Sequence, residues 1–171
     1  MVIWISGMPG TGKSTLAKYY YKKHKKILKN LILIDGDEFR KTMDNDLGYS
    51  IQDRQINALR LIKLAKYFYD QKVNVIISAN LVFQKYRNWC KKNISNFLEI
   101  NIETKISILK KRNKKKLFSN LKKNVLGKDI KVKRPIKPHL IIHNNYKKKE
   151  FLGSIKLINK SIKEKKLNFF K

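Results

Sequence analysis

Short runs of aliphatic and β-branched residues alternate along the chain with stretches in which apolar residues recur every three or four positions. Val2 to Ser6, Leu31 to Ile34, Val73 to Ile77, Phe97 to Ile102 and Leu140 to His143 are the short runs, and each predicts a strand. Lys13 to Lys25, Ile51 to Asp70, Lys105 to Arg112 and Phe151 to Lys165 predict helices. In the second of these, Leu61, Leu64, Ala65 and Phe68 fall at the i, i+3, i+4, i+7 spacing of a buried stripe. Ser50, with Asp53 three residues on, predicts its N-cap. Strands that alternate with helices predict an α/β fold, a parallel sheet with helices on both faces. Trp4 is expected in the core, and Trp89 and Cys90 on the buried face of a helix.

The segment from Asn113 to Pro138 breaks this pattern. It is lysine-rich, has little apolar periodicity and holds two of the three prolines, so it predicts a mobile, basic excursion from the sheet. No internal repeat or linker interrupts the rest. The 171 residues, 42% of them hydrophobic, predict one domain over 1–171. No run approaches the length of a membrane-spanning helix. Met1 to Ser6 lacks the basic lead and cleavage site of a signal peptide and reads as a first strand. Cys90 is the single cysteine, which excludes an internal disulfide and suits a cytoplasmic protein.

The formal net charge of +29 raises nucleic acid as a partner. Only six of the 41 basic residues are arginine, however, the side chain that grips phosphate with two parallel hydrogen bonds. The lysine coat therefore reads as a solvated surface whose field draws in a small anionic substrate, not as a nucleic-acid interface.

Chemistry concentrates near the amino terminus. Gly7, Met8, Pro9, Gly10, Thr11, Gly12, Lys13 and Ser14 match G-x-x-x-x-G-K-[ST], placed after a strand and before a helix. Glycines let backbone N–H groups curl around phosphates, and the helix start adds partial positive charge. Lys13 can reach the β- and γ-phosphates of ATP, the Ser14 hydroxyl can bind Mg²⁺, and Thr15 continues the helix start. After the second strand come Asp35, Asp37 and Arg40. Two acids beside a phosphate loop suit metal support and acceptance of a proton from an attacking hydroxyl. Farther on, Asp46-Leu47-Gly48-Tyr49-Ser50 precedes Asp53, Arg54 and Asn57, the last two on one helix face where they can hold the phosphate and sugar of an acceptor. His24, His139 and His143 show no metal-ligand spacing with Cys90.

These motifs, in this order, resemble those of adenylylsulfate (APS) kinases: a P-loop, D-G-D-x-x-R at Asp35 to Arg40, and D-L-G-[FY]-S-x-x-D-R-x-x-N at Asp46 to Asn57. Weaker echoes of the family's lid and closing motifs fall at Arg112 to Phe118, Leu126 to Asp129 and Pro138 to Ile142. The resemblance implies a P-loop kinase fold with a basic lid, about 113–138. It implies transfer of the ATP γ-phosphate to the ribose 3′-hydroxyl of a small nucleotide. Lys13, Asp35 and Asp37 would be catalytic, and Ser14 and Asp35 would serve Mg²⁺. Arg112 would join the ATP site. Asp37, Arg40, Tyr49, Arg54, Asn57, Asn80, Leu81 and Lys115 would face the acceptor. Since APS kinases are often dimers, a homodimer is expected.

The departures bear on the base. The family clamps the acceptor's adenine between two aromatics; Tyr49 keeps one and Val125 replaces the other. In Ser78-Ala79-Asn80-Leu81-Val82-Phe83 the family's phenylalanine becomes Asn80, and its serine becomes Val82. The lid changes at Lys116 and Phe118, and the family's acidic run becomes Lys131-Val132-Lys133. Lower aromatic content with a polar Asn implies a base other than adenine. Cytidine diphosphoramidate, whose terminal group is comparable in size to the sulfate of APS, fits this reading, with APS as the alternative. A polynucleotide kinase is the reading that the charge favours, and a degenerate P-loop binding module is the non-catalytic one; the intact acids and the acceptor motif oppose both.

Overall fold

The computed structural model describes residues 1–112 and 123–171, except for the Arg112 side chain. Five strands form one all-parallel sheet: β1 (Val2–Gly7), β2 (Leu31–Asp35), β3 (Asn74–Ser78), β4 (Phe97–Glu103) and β5 (Leu140–His143). Their spatial order is β2-β3-β1-β4-β5. The helices are α1 (Lys13–His24), α2 (Gly36–Thr42), α3 (Ile51–Asp70), α4 (Gln84–Asn93), α5 (Ile106–Arg112), α6 (Lys148–Gly153) and α7 (Ile155–Glu164).

Residues of β1 alternate between the two sheet faces, as the two-residue period of a strand requires. Ile3 and Ile5 join one core with Leu16, Tyr20, Phe151 and Ile158, from α1, α6 and α7. Val2 and Trp4 join the other with Ala58, Leu61, Ile62 and Cys90, from α3 and α4. Trp4 is fully buried, and its indole N–H donates to Ala79 O at 3.0 Å. Burial of each large apolar side chain contributes about 1.5–3 kcal/mol. Among the described residues no helix is long and apolar enough to cross a membrane.

The predicted strands and long helices occur, with shifted ends. β3 begins at Asn74, not Val73. The buried Asn74 is tolerated in a strand because its Nδ2 donates to Asn30 Oδ1 and Phe170 O, at 2.7 and 2.8 Å. Its Oδ1 accepts from Phe170 N at 2.9 Å, so the carboxyl-terminal segment ties to this edge of the sheet. The expected helix Phe151 to Lys165 is two helices that begin at Lys148. They break at Ser154, beside Gly153, which weakens a helix interior.

Trp89 is 39% exposed, which corrects the expectation of a buried face shared with Cys90. The inward stripe of α4 is Phe83, Arg87, Cys90 and Ile94, at spacings of three and four residues, and Trp89 falls outside it. Arg87 is inward because Glu99 of β4, fully buried, forms an ion pair with it and a second with Lys91 Nζ at 3.0 Å. Burial pushes the Arg87 guanidinium down to about 10 and the Cys90 thiol up to about 12, which keeps that sulfur an inert core group.

Candidate active site

All five strands run the same way, so the loops after β1, β2 and β3 open on one edge of the sheet, where ligands of such folds bind. Between them lies a cleft of about 480 Å³.

The loop after β1 has the geometry of a phosphate cradle. Gly7, Gly10 and Gly12 have φ of 148°, 84° and 99°, values that favour glycine. At Gly12 a Cβ would lie 2.8 Å from Asn144 Nδ2, so this position excludes any side chain on steric grounds as well. Gly12 caps α1, and no acidic side chain occupies the first turn, which leaves the positive helix start facing the cleft. Met8 O accepts from Thr11 N, Thr11 Oγ1 and Lys13 Nζ, the last at 3.0 Å. Ser14 Oγ lies 3.3 Å from the hydroxyl of Ser78 at the end of β3.

The second wall comes from β2 and α2. Asp35 is the N-cap of α2, a helix that the apolar periodicity does not predict. Its Oδ1 accepts from Asp37 N at 3.0 Å. Asp35 also lies in register with Ser78 on the neighbouring strand, and Asp35, Ser78 and Ser14 line the same cleft. Among the described residues no three His, Cys, Asp or Glu side chains form a metal cluster.

The acceptor side is built on Tyr49. The Arg40 and Arg54 guanidiniums lie 4.9 and 5.3 Å from its ring centroid. Arg40 Nη1 donates to Leu47 O and Gly48 O, and Arg54 Nε donates to Tyr49 O. Arg54 Nη2 donates to Asn124 O at 2.9 Å, which joins α3 to the turn at Val125. Burial, and then the charge of Arg40, lowers the Arg54 pKa. Ser50 and Asp53 form the predicted capping box of α3, which fixes the helix start that carries Arg54 and the buried Asn57.

Of the residues expected at the acceptor, Asp37, Arg40, Tyr49, Arg54, Asn57 and Asn80 line the cleft. Leu81 does not; it is fully buried in the core with Trp4 and Leu61, which corrects its expected place. Lys115 and the Arg112 side chain lie outside the described residues. Of the ATP-side residues, Pro9, Gly10, Gly12, Lys13, Ser14, Thr15 and Asp35 line the cleft, whereas Gly7, Met8 and Thr11 shape the loop behind it.

Asn80 Oδ1 is closed off from water and has no hydrogen-bond partner among the described residues. Val125 is 5% exposed and sits in a turn where its carbonyl accepts from the amides of Lys128, Asp129 and Ile130, while its own amide donates to Asp129 Oδ2. Gly127 of that turn has φ 82° and packs so closely on Met8 of the phosphate loop that a Cβ would collide with the methionine.

The sequence reading missed Phe83, Ser78, Lys18, Lys41 and Lys123, all in the cleft wall. It also missed Asn144 and Tyr146, which touch the phosphate loop from behind. No motif marks these two; only the parallel pairing of β5 with β4 brings them there.

A parallel sheet with a glycine cradle at one strand end, and acids at the next, defines a P-loop kinase. The adenylylsulphate kinase family model matches residues 1–143, and the chain belongs to that family. It is an ATP-dependent phosphotransferase that acts on a hydroxyl group. The cytidine diphosphoramidate kinase of Campylobacter jejuni is 36% identical over 148 residues, 84% of this chain and 86% of that one. The adenylyl-sulfate kinase of Clostridium acetobutylicum is 32% identical over 146 residues, 82% of this chain and 73% of that one. The fold is that of the Mycobacterium tuberculosis APS kinase solved with AMPPNP and APS, with a TM-score of 0.78 at 24% identity, covering 93% and 96% of the two chains. It is shared more distantly with shikimate kinase from Aquifex aeolicus, with a TM-score of 0.59 at 14% identity, covering 94% and 96%.

Proposed function

We propose that the chain transfers the γ-phosphate of ATP to the ribose 3′-hydroxyl of a cytidine nucleotide, cytidine diphosphoramidate, in the cytoplasm. The carrying observation is Val125, an aliphatic side chain where the family pattern has an aromatic, which lines the same cleft as Asn80. Stacking on an aromatic is worth about 1–3 kcal/mol per base, and Val125 cannot supply it. The amide of Asn80 matches the amino group and ring nitrogen of cytosine. Adenine carries the same pair, so its disadvantage here is the missing second ring. A second reading, APS as acceptor, is favoured by Phe83, which lines the same cleft and offers a ring from a different position.

In this reading Lys13 leaves Met8 O for the transferring phosphate. Asp37 takes the proton of the acceptor hydroxyl. Arg40, Arg54 and Asn57 hold the acceptor, with Tyr49 under its base. Mg²⁺ fits the donor set, because it retains water and asks for one or two hard protein oxygens beside substrate phosphates. Ser14 Oγ and Asp35 are those oxygens, and the ion would neutralise charge that develops on the phosphate oxygens. Lys18, Lys41 and Lys123 add positive charge to the approach of an anionic acceptor.

The test is an acceptor panel of cytidine diphosphoramidate, APS, CDP and CMP with Mg·ATP, followed by phosphorus NMR of the product. A new 3′-phosphomonoester on the cytidine compound is expected. Equal or better turnover of APS would establish the second reading instead.

A further inference from the structure

We propose that Asn144 and Tyr146, which lie beyond the residues matched by the family model, are positioning residues for the phosphate-binding loop. The idea rests on the loop being the ATP site.

After β5 the chain turns back beneath the loop. Asn144 N donates to Glu103 O at 2.9 Å, and Asn144 Oδ1 accepts from Tyr146 N at 2.8 Å. The first bond fixes the backbone of Asn144 and the second its side chain; the residue is 3% exposed. Its Nδ2 then donates to Thr11 O at 2.8 Å. The Tyr146 hydroxyl donates to Gly10 O at 2.6 Å. Two consecutive carbonyls of the loop are thus held from the side away from the cleft.

The consequence follows from the peptide bond. In a planar trans peptide the C=O and the next N–H point in opposite directions. Holding Thr11 O outward turns Gly12 N–H inward, at the mouth of α1 where phosphate oxygens would sit. Holding Gly10 O outward turns Thr11 N–H toward Met8 O, the bond that closes the loop. Gly12 has φ 99°, and a Cβ there would lie 2.8 Å from Asn144 Nδ2, so Asn144 occupies the space beside this peptide as well as bonding to it. Without these two donors a glycine-rich loop has several conformations of similar energy, and phosphate binding must bear the ordering cost.

Each side chain satisfies a carbonyl that faces away from the substrate, so neither need touch ATP. Their loss should weaken nucleotide binding and spare the acceptor. Tyr146→Phe keeps the ring and its packing while removing the hydroxyl. Asn144→Asp keeps the volume and replaces the amide donor with an acceptor facing Thr11 O.

The experiment measures AMPPNP affinity by calorimetry on the full chain, KM for ATP and for the acceptor separately, and Tm. Loss of one hydrogen bond in each variant should raise the AMPPNP Kd and the ATP KM roughly five- to tenfold, with the acceptor KM within about twofold of wild type. Wild-type AMPPNP affinity in both variants would overturn the positioning role alone. So would ATP and acceptor constants that rise together as Tm falls, the signature of a structural defect. Failure of the wild type to bind AMPPNP would overturn the ATP reading of the loop and this proposal with it.

Discussion

The hydroxyl of Ser14, the second residue of α1, lies 3.3 Å from the hydroxyl of Ser78, the last residue of β3. Ser78 is 3% exposed and sits in register with Asp35 on the adjoining strand. Under the proposed Mg²⁺ role of Ser14, its hydroxyl proton needs an acceptor, and Ser78 Oγ is in reach. Partners of this kind orient metal ligands, and losing one typically costs about 10–100-fold in metal affinity. Ser78→Ala should therefore raise the Mg²⁺ concentration for half-maximal rate by roughly tenfold, with kcat nearly restored at saturating metal. Ser78→Thr, which keeps the hydroxyl, should behave like wild type. An unchanged Mg²⁺ titration of Ser78→Ala would remove this role.

Lys13→Ala should abolish phosphoryl transfer while Tm holds. Catalysis of this reaction is mostly positioning and charge neutralisation, and Lys13 Nζ is the cation set within the loop. Single-turnover kinetics and a thermal melt of the same preparation check both halves. A variant that keeps more than about a tenth of the wild-type rate would refute the assigned role.

Asp35 and Asp37 should separate kinetically. Asp35 caps α2 and lies in register with Ser78, whereas Asp37, two residues on, is exposed in the cleft wall. Asp37→Asn should lower kcat by about 10²–10⁴-fold with little change in KM, as for loss of a general base. Asp35→Asn should shift the Mg²⁺ dependence. Rescue of Asp37→Asn by excess Mg²⁺ would exchange the two assignments.

Much of this site was legible in the sequence because its parts are local. The phosphate loop, the capping box at Ser50 and Asp53, and the Arg54 and Asn57 pair each lie within one turn or one helix start, so spacing alone groups them. What escaped notice depends on long-range pairing. Asn144 reaches Thr11 across 133 positions, and Ser78 reaches Ser14 across 64. Arg87 has the spacing of an apolar stripe without being apolar, because Glu99 on another strand neutralises it. Leu81 was misplaced for a related reason. It adjoins Asn80 in sequence, but the chain leaving β3 is extended enough that neighbours face opposite sides, one the cleft and one the core.

Stability should fall on mild acidification through His139. Its Nδ1 accepts a hydrogen bond from Glu99 N at 3.0 Å, which requires the neutral ring. Burial, reinforced by Lys91 and Lys165, lowers its pKa from 6.5 to about 4. Between those values the unfolded chain binds a proton that the folded one does not, so folding stability declines as pH drops through about 6.5 and levels off near 4. The loss should be on the order of 1–3 kcal/mol, since the ring is only partly buried. Urea melts across this range should show the decline, and His139→Gln should flatten it. A wild-type curve with no such slope would contradict the neutral, hydrogen-bonded ring.

Base choice is the sharpest consequence of the cleft. Val125 is held by its carbonyl's three hydrogen bonds and by Asp129, so it cannot swing aside to admit a ring from elsewhere in its turn. Asn80 lines the same cleft, and its side-chain oxygen is closed off from water without a partner among the described residues. Adenine offers Asn80 the same amino and ring-nitrogen pair, so discrimination rests on the second aromatic ring that the cleft lacks, worth about 1–3 kcal/mol per base. Cytidine diphosphoramidate should therefore exceed APS by at least about tenfold in kcat/KM. Asn80→Phe with Val125→Phe restores a second aromatic and removes the polar reader, and should move the ratio toward APS by a factor that matches one stacking interaction, about 1–3 kcal/mol. Each single variant should shift it less, since a lone ring opposite a remaining polar or aliphatic group completes only half of the change. The two substrates compete in one reaction vessel, so the ratio is read directly from product peaks and is insensitive to the fraction of active enzyme. If the unmodified protein prefers APS, or if the double variant leaves the ratio where it was, base selection does not reside in Asn80 and Val125.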